Sequence, residues 1–142
     1  MVARNPNDPH RPTVVLVDDD EAVLAALRRL FREDSYEILS TQDPFEAWSW
    51  IRTRPVDLVI ADEFMPALLG TELLEAVRRN SPWSARVVLT GYPGTTVASR
   101  AVQQDVDLVV LKPWDDRAVR ESVERLLTGP AHRPPPGTSG PG

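Results

Sequence analysis

The chain reads as an α/β domain built on a parallel sheet, and three observations predict it. Short apolar runs recur at 13–17, 36–40, 57–61, 86–90 and 107–111, the length and composition of buried strands. Amphipathic helical patterns fill the intervals, at 20–33, 44–53, 69–80, 95–104 and 115–127. Five strands alternating with five helices imply a sheet covered on both faces by right-handed crossovers. Third, the runs end in chemistry. Val14-Val15-Leu16-Val17 meets Asp18-Asp19-Asp20-Glu21, Leu58-Val59-Ile60-Ala61 meets Asp62-Glu63, Val87-Val88-Leu89 meets Thr90-Gly91, and Val109-Val110-Leu111 meets Lys112-Pro113-Trp114.

Each helical pattern has its own grounds. In the first, Val23, Leu24, Leu27, Leu30 and Phe31 recur at helical spacing, with Arg28, Arg29, Arg32 and Glu33 facing out. In the third, Leu69, Leu73, Leu74 and Val77 form a similar stripe. Asp43 and Asp115 read as N-caps, with Pro44 at the first helical position, where its missing N–H costs nothing. Residues 1–12 are polar and proline-rich, a flexible leader, and residues 129–142 form a Pro/Gly-rich tail with little to bury, expected to be disordered. The domain is thus expected over residues 13–128.

Composition narrows the function. A net charge of -5 provides no basic field for nucleic acid. With no cysteine there is neither a disulfide framework nor thiol chemistry. The first residues lack the apolar core of a signal peptide, and no stretch approaches the roughly 20 apolar residues of a membrane span. The expectation is a cytoplasmic protein that binds neither nucleic acid directly nor membrane.

In open α/β sheets, ligands bind at the carboxyl ends of the strands. There the sequence gathers acids, a hydroxyl and the chain's one lysine. Asp20 and Glu21 are read as acids complementing the first helix dipole. Asp18 and Asp19 emerge from the strand itself, and crowded carboxylates call for a cation. Asp62 is followed by Met65-Pro66, so no helix starts on it. A carboxylate beside a bound divalent metal can act as nucleophile on phosphorus. Thr90 offers a hydroxyl and Lys112 a point cation for phosphoryl oxygens, and Gly91 leaves room for them.

These residues carry a collinear resemblance over about Thr13 to Leu127. Val15-Leu16-Val17-Asp18-Asp19, Asp62 with Met65-Pro66 and Gly70, Thr90-Gly91 and Lys112-Pro113 together resemble the response-regulator receiver domain of two-component signalling. The resemblance implies a flavodoxin-like doubly wound (βα)5 fold with strand order 2-1-3-4-5. It implies Asp62 as phosphoacceptor and Mg²⁺ held by Asp18, Asp19, Asp62 and the Phe64 backbone carbonyl, with Thr90 and Lys112 reading the phosphoryl group. The expected donor is a histidine kinase or phosphotransfer protein. The output is expected through an unidentified partner protein, or through a homodimer formed by the fourth helix, fifth strand and fifth helix. Catalysis is expected to stop at self-catalysed phosphotransfer and dephosphorylation. Leu89-Thr90-Gly91-Tyr92 with Lys112-Pro113-Trp114 further resembles receivers fused to cyclic-dinucleotide phosphodiesterases or transcriptional activators.

The chain also departs from that family. Three residues before the lysine, where a tyrosine or phenylalanine usually stands, it has Val109. Phe64 is bulky where many relatives are polar, and Leu68-Leu69 before Gly70 is unusually apolar. An alternative is therefore a protein-binding adaptor on the same fold that needs no phosphorylation. A haloacid-dehalogenase-like phosphohydrolase fits less well, because Asp18-Asp19-Asp20-Glu21-Ala22 lacks the threonine of Asp-x-Asp-x-Thr.

Overall fold

Strands β1 (Thr13–Val17), β2 (Glu37–Thr41), β3 (Leu58–Asp62), β4 (Ala85–Thr90) and β5 (Leu108–Leu111) pair in parallel in the order β2-β1-β3-β4-β5. Helices α1 (Glu21–Leu30), α2 (Pro44–Thr53), α3 (Gly70–Asn80) and α4 (Asp116–Thr128) complete the described elements of this computed structural model. It describes residues 11–91, 100–101 and 105–129. Of the helix expected at 95–104, only Arg100 and Ala101 are described. Tyr92, the tail beyond Gly129 and the leader before Arg11 lie outside the described residues.

The central strands β1 and β3 are buried along their whole length, which is why they read as unbroken apolar runs rather than alternating ones. Their alternate side chains feed two separate cores. Val14 and Leu16 of β1 pack with Leu58 and Ile60 of β3 against Leu24, Leu27 and Leu30 of α1 and Val119, Val123 and Leu127 of α4. Val15 and Val17 pack with Val59 and Ala61 against Ala47 and Ile51 of α2 and Leu73, Leu74 and Val77 of α3. The doubly wound layering thus follows from the period of two along each strand. The outer strands β2 and β5 are only partly covered, as sheet edges are.

The caps expected at Asp43 and Asp115 are present, and Asp20, read as a dipole acid, caps α1 as well. The side chains of Asp20, Asp43 and Asp115 accept from the N–H groups of Ala22, Phe45 and Ala118, and Pro44 opens α2. The first helix is shorter than its apolar stripe suggests. Phe31 leaves helical geometry while remaining buried, and the chain turns through a bond from the Asp34 N–H to the Phe31 carbonyl at 3.0 Å. The stripe continues past the helix because the core does. At the other end, buried Pro12 accepts from the Glu37 N–H at 2.8 Å, so strand-like contacts reach one residue into the segment assigned to the leader.

Gly70 shows how tightly the end of β3 is held. A Cβ there would lie 2.3 Å from the Asp62 carbonyl oxygen, a backbone atom that cannot swing away. Gly70→Ala should therefore destabilise the fold by roughly 1–3 kcal/mol, as overpacking does. The check is a lower urea midpoint with an unchanged m-value; an unchanged midpoint would mean the loop yields freely.

Candidate functional site

Register brings the predicted residues to one edge. β1 and β3 are neighbours, so Asp18, just past β1, and Asp62, the last residue of β3, lie side by side. β4 is paired so that Leu89 faces Asp62, which leaves Thr90 at the same edge. β5 follows, with Thr90 opposite Leu111, and the Lys112 N–H donates to the Thr90 carbonyl at 2.8 Å. Both Asp18 and Thr90 are wholly buried. Asp19 is exposed, at the open side of the site.

Lys112 spans the two buried acids. Its Nζ donates to Asp18 Oδ2 at 3.0 Å and to Asp62 Oδ1 at 3.0 Å. Asp18 Oδ1 in turn accepts from the Asp20 N–H at 2.9 Å, so both its oxygens are engaged. Gln42, at the start of the neighbouring loop, donates to the Asp19 carbonyl at 2.9 Å and ties that turn to the loop after β2.

Burial governs the electrostatics. It pushes the Asp62 carboxyl up to about 6; the Lys112 hydrogen bond opposes the shift and the Asp18 charge adds to it. Burial likewise raises Asp18, against the hydrogen bonds from Asp20 and Lys112. For Lys112, burial pulls downward, but its hydrogen bonds to the two acids prevail and the net shift is upward. The ammonium is thus held charged while the acids beside it are strained towards neutrality.

Carboxylate oxygens of Asp18, Asp19 and Asp62, one from each, all lie within 4.8 Å of one another. Three hard oxygen donors at that spacing, two of them on buried acids, suit a divalent cation such as Mg²⁺ or Ca²⁺. Phe64, two residues after Asp62, is 45% exposed and forms an antiparallel bridge with Leu69. Its carbonyl as a metal ligand rests on the family resemblance.

One group at this edge escaped the sequence reading. Glu63, directly after Asp62, is fully buried and bonds Thr71 and Arg100. It reads in sequence as a second loop acid, because its partners stand eight and 37 residues away. The available signal was a helix α3 whose N-cap position is Leu69, a residue with no capping side chain.

The chain belongs to the response regulator receiver domain family, whose model matches residues 14–124. Domains of this family are regulatory phosphoacceptors rather than enzymes in the ordinary sense. Among curated relatives, it is 34% identical over 127 residues to the hydrogenase transcriptional regulatory protein HoxA of Cupriavidus necator, covering 85% of this chain and 26% of that protein. It is 26% identical over 125 residues to the DNA-binding transcriptional regulator NtrC of Azospirillum brasilense, covering 86% of this chain and 26% of that one. The chain therefore spans about a quarter of the length of these relatives. Among solved structures, the signal receiver domain of an HD domain-containing protein from Pseudomonas fluorescens matches with TM-score 0.79 and 30% identity, over 82% of this chain and 94% of that one. A CheY-like receiver domain protein from Methanospirillum hungatei matches with TM-score 0.78 and 25% identity, over 82% and 93%. No described helix is long and apolar enough to cross a membrane.

Two measurements test the electrostatics. Asp19 is exposed, so Asp19→Asn should leave the core intact while removing one donor. A ligand that binds only the folded state stabilises it. Millimolar Mg²⁺ should therefore raise the melting temperature of the wild type and do so much less in Asp19→Asn; equal shifts would place the metal elsewhere.

For Asp62, the folded state holds its proton up to about pH 6, above the usual 3.8. The unfolded chain binds fewer protons across that window, so stability falls as pH rises through it. Above the window the ionised acid costs on the order of 1–3 kcal/mol in metal-free buffer. Asp62→Asn should then unfold at higher urea than the wild type near about pH 7.5, the two converging towards about pH 4. A pH-independent gap would show that this acid is not strained.

Proposed function

We propose that the protein is a phosphorelay response regulator that takes a phosphoryl group on Asp62 from a histidine kinase or phosphotransfer protein in the cytoplasm. The reading rests above all on one observation, the Lys112 ammonium 3.0 Å from both Asp18 and Asp62 at the carboxyl edge of the sheet. That edge offers a nucleophilic carboxylate, a fixed cation and a hydroxyl within one small region, the parts that phosphoryl transfer needs.

Asp18, Asp19 and Asp62 would hold Mg²⁺, with the Phe64 carbonyl as a further oxygen. When bound, the ion neutralises charge on the phosphoryl oxygens and orients them for in-line attack. An Asp62 oxygen then forms the bond to phosphorus while the bond to the donor's histidine nitrogen breaks. The nitrogen leaves with the electron pair and later regains a proton from solvent. Lys112 transfers its hydrogen bond from the Asp62 carboxylate to a phosphoryl oxygen, and the Thr90 hydroxyl donates to another. The added group carries about two negative charges, and pulling Lys112 and Thr90 onto it displaces β4 and β5 ends relative to their neighbours. The change passes to an output partner.

Acetyl phosphate with Mg²⁺ should add one phosphoryl group to the intact protein by mass spectrometry, and Asp62→Asn should abolish the addition. Lys112→Ala should retain metal binding but lose most of the labelling rate, about 10²-fold or more if electrostatic stabilisation is its role. Full labelling of Asp62→Asn would remove Asp62 as acceptor. No labelling of the wild type would leave the phosphorylation-independent adaptor, which the absence of an aromatic at Val109 favours.

A further inference from the structure

Helix α2 buries Pro44, Ala47 and Ile51 against the sheet, yet it also carries Phe45, at 62% the most exposed of the described large hydrophobic residues. Phe45, Trp48, Ser49 and Arg52 follow at i, i+3, i+4 and i+7, so they form one stripe along the helix. The Arg52 guanidinium lies over the Trp48 ring, 5.8 Å from its centroid, which holds a cation on an aromatic face. Charge is graded along the same helix. Asp43, the N-cap, and Glu46 stand at its start, with Arg52 and Arg54 at its end. Asp43 spends one oxygen on the Phe45 N–H at 2.9 Å. Among the described residues neither Arg52 nor Arg54 has an acidic partner.

Grading of this sign complements the helix dipole, but the dipole gives no reason for two aromatic rings on the same stripe. A second copy of the helix does. Phe45 and Arg52 are equidistant from the midpoint between Trp48 and Ser49, and so are Asp43 and Arg54. A two-fold axis through that midpoint sets two α2 helices antiparallel. Phe45 then stands opposite Arg52 of the second copy, Trp48 opposite Ser49, and Asp43 opposite Arg54, and every contact occurs twice. At the centre a large side chain meets a small one, which lets the helices approach. On either side the guanidinium stacked on Trp48 offers its other face to a phenyl ring. At the ends an exposed acid meets an exposed base. A parallel pair would instead set like charges side by side. Ten residues of helix span about 15 Å, too little to bury the roughly 1,200 Å² of a standard interface. Such a dimer is weak and reversible.

We propose that the outward face of α2 is a homodimer interface, formed by antiparallel packing of two α2 helices about a two-fold axis between Trp48 and Ser49. The occupant is a second copy of this chain because ring, small residue and charge all find their complements under that one operation. The face packs over β1 and β2, on the far side of the sheet from β5. It is therefore distinct from a homodimer built on the fifth strand. Neither Asp62 nor a metal takes part, so the interface is independent of the phosphoacceptor reading.

The test is sedimentation velocity on the full chain over a concentration series at low ionic strength. The wild type should move from monomer towards dimer as concentration rises, and about 0.5 M NaCl should weaken the association, because the end pairs are exposed. Phe45→Ser and Arg54→Glu should each weaken it about tenfold or more. Their melting temperatures should stay at the wild-type value, since both side chains are exposed. Asp43→Asn keeps a capping side chain while losing the charge, and should weaken the dimer less. Mixing Arg54→Glu with Asp43→Asn should give tighter association than Arg54→Glu alone. That heterodimer keeps one Asp43–Arg54 pair and contains no like-charge pair. A monomer at every concentration overturns the proposal. So does a dimer untouched by these substitutions, which would place the contact elsewhere, such as the β5 edge. A dimer lost in Phe45→Ser but indifferent to the charge changes and to mixing overturns the antiparallel pairing.

Discussion

A single ammonium makes this sheet edge tenable. Parallel pairing of β1 with β3 sets their carboxyl ends one strand spacing apart, about 4.8 Å, and both strands deliver an acid there. Two buried carboxylates so close repel each other and lose their hydration. Lys112 meets both by donating to an oxygen of each at 3.0 Å. Its position depends on β5 lying beyond β4, so that the chain leaves the sheet at Lys112 with its N–H on the Thr90 carbonyl. The strand order thus determines that a residue 94 positions away in sequence can neutralise Asp18. Without that ammonium the two crowded acids would be driven to share a proton.

Charge balance also orders what the site can accept. Three carboxylates against one ammonium leave two negative charges uncompensated. A dianionic phosphoryl donor approaching that edge meets repulsion until a divalent cation cancels the deficit. Asp19 matters here because it is exposed: it adds charge where an ion enters without the desolvation cost that raises Asp18 and Asp62. The burial that strains Asp62 in the metal-free state is the same burial that strengthens its interactions once a cation arrives. Strain and affinity have one source.

How much of this was legible in the sequence follows from the range of each interaction. The strands of β1 and β3 read clearly because burial on both faces leaves continuous apolar runs. The caps at Asp43 and Asp115 read clearly because a cap bond spans two or three residues. Asp18, Asp19, Asp62, Thr90 and Lys112 could be assembled because topology sends every parallel strand end to the same edge. The end of α1 was misplaced because Phe31 belongs to the core without belonging to the helix. Glu63 stayed hidden for the opposite reason. An acid after an acid looks like a solvated loop, and only the folded chain shows that Thr71 and Arg100 surround it. Local chemistry and periodicity can be read along the chain; a buried polar network joining distant segments cannot.

The two edge-strand side chains Val109 and Leu111, 40% and 47% exposed, limit how this fold can signal. A valine has no ring to withdraw from the surface, and its branched side chain is stiff about its first torsion. A displacement at this edge of the sheet must then travel through groups that are tightly held rather than through one that swings. Packed elements shift between discrete arrangements because their interfaces do not deform continuously. Glu63 joins β3 to β4, to the start of α3 and to Arg100 at once, and its burial makes each bond costly to break singly. A displacement at Asp62 is therefore either resisted by all of them or passed to all of them. Arg100 is the member nearest to solvent, with its side chain 28% exposed, and so the one whose release costs least.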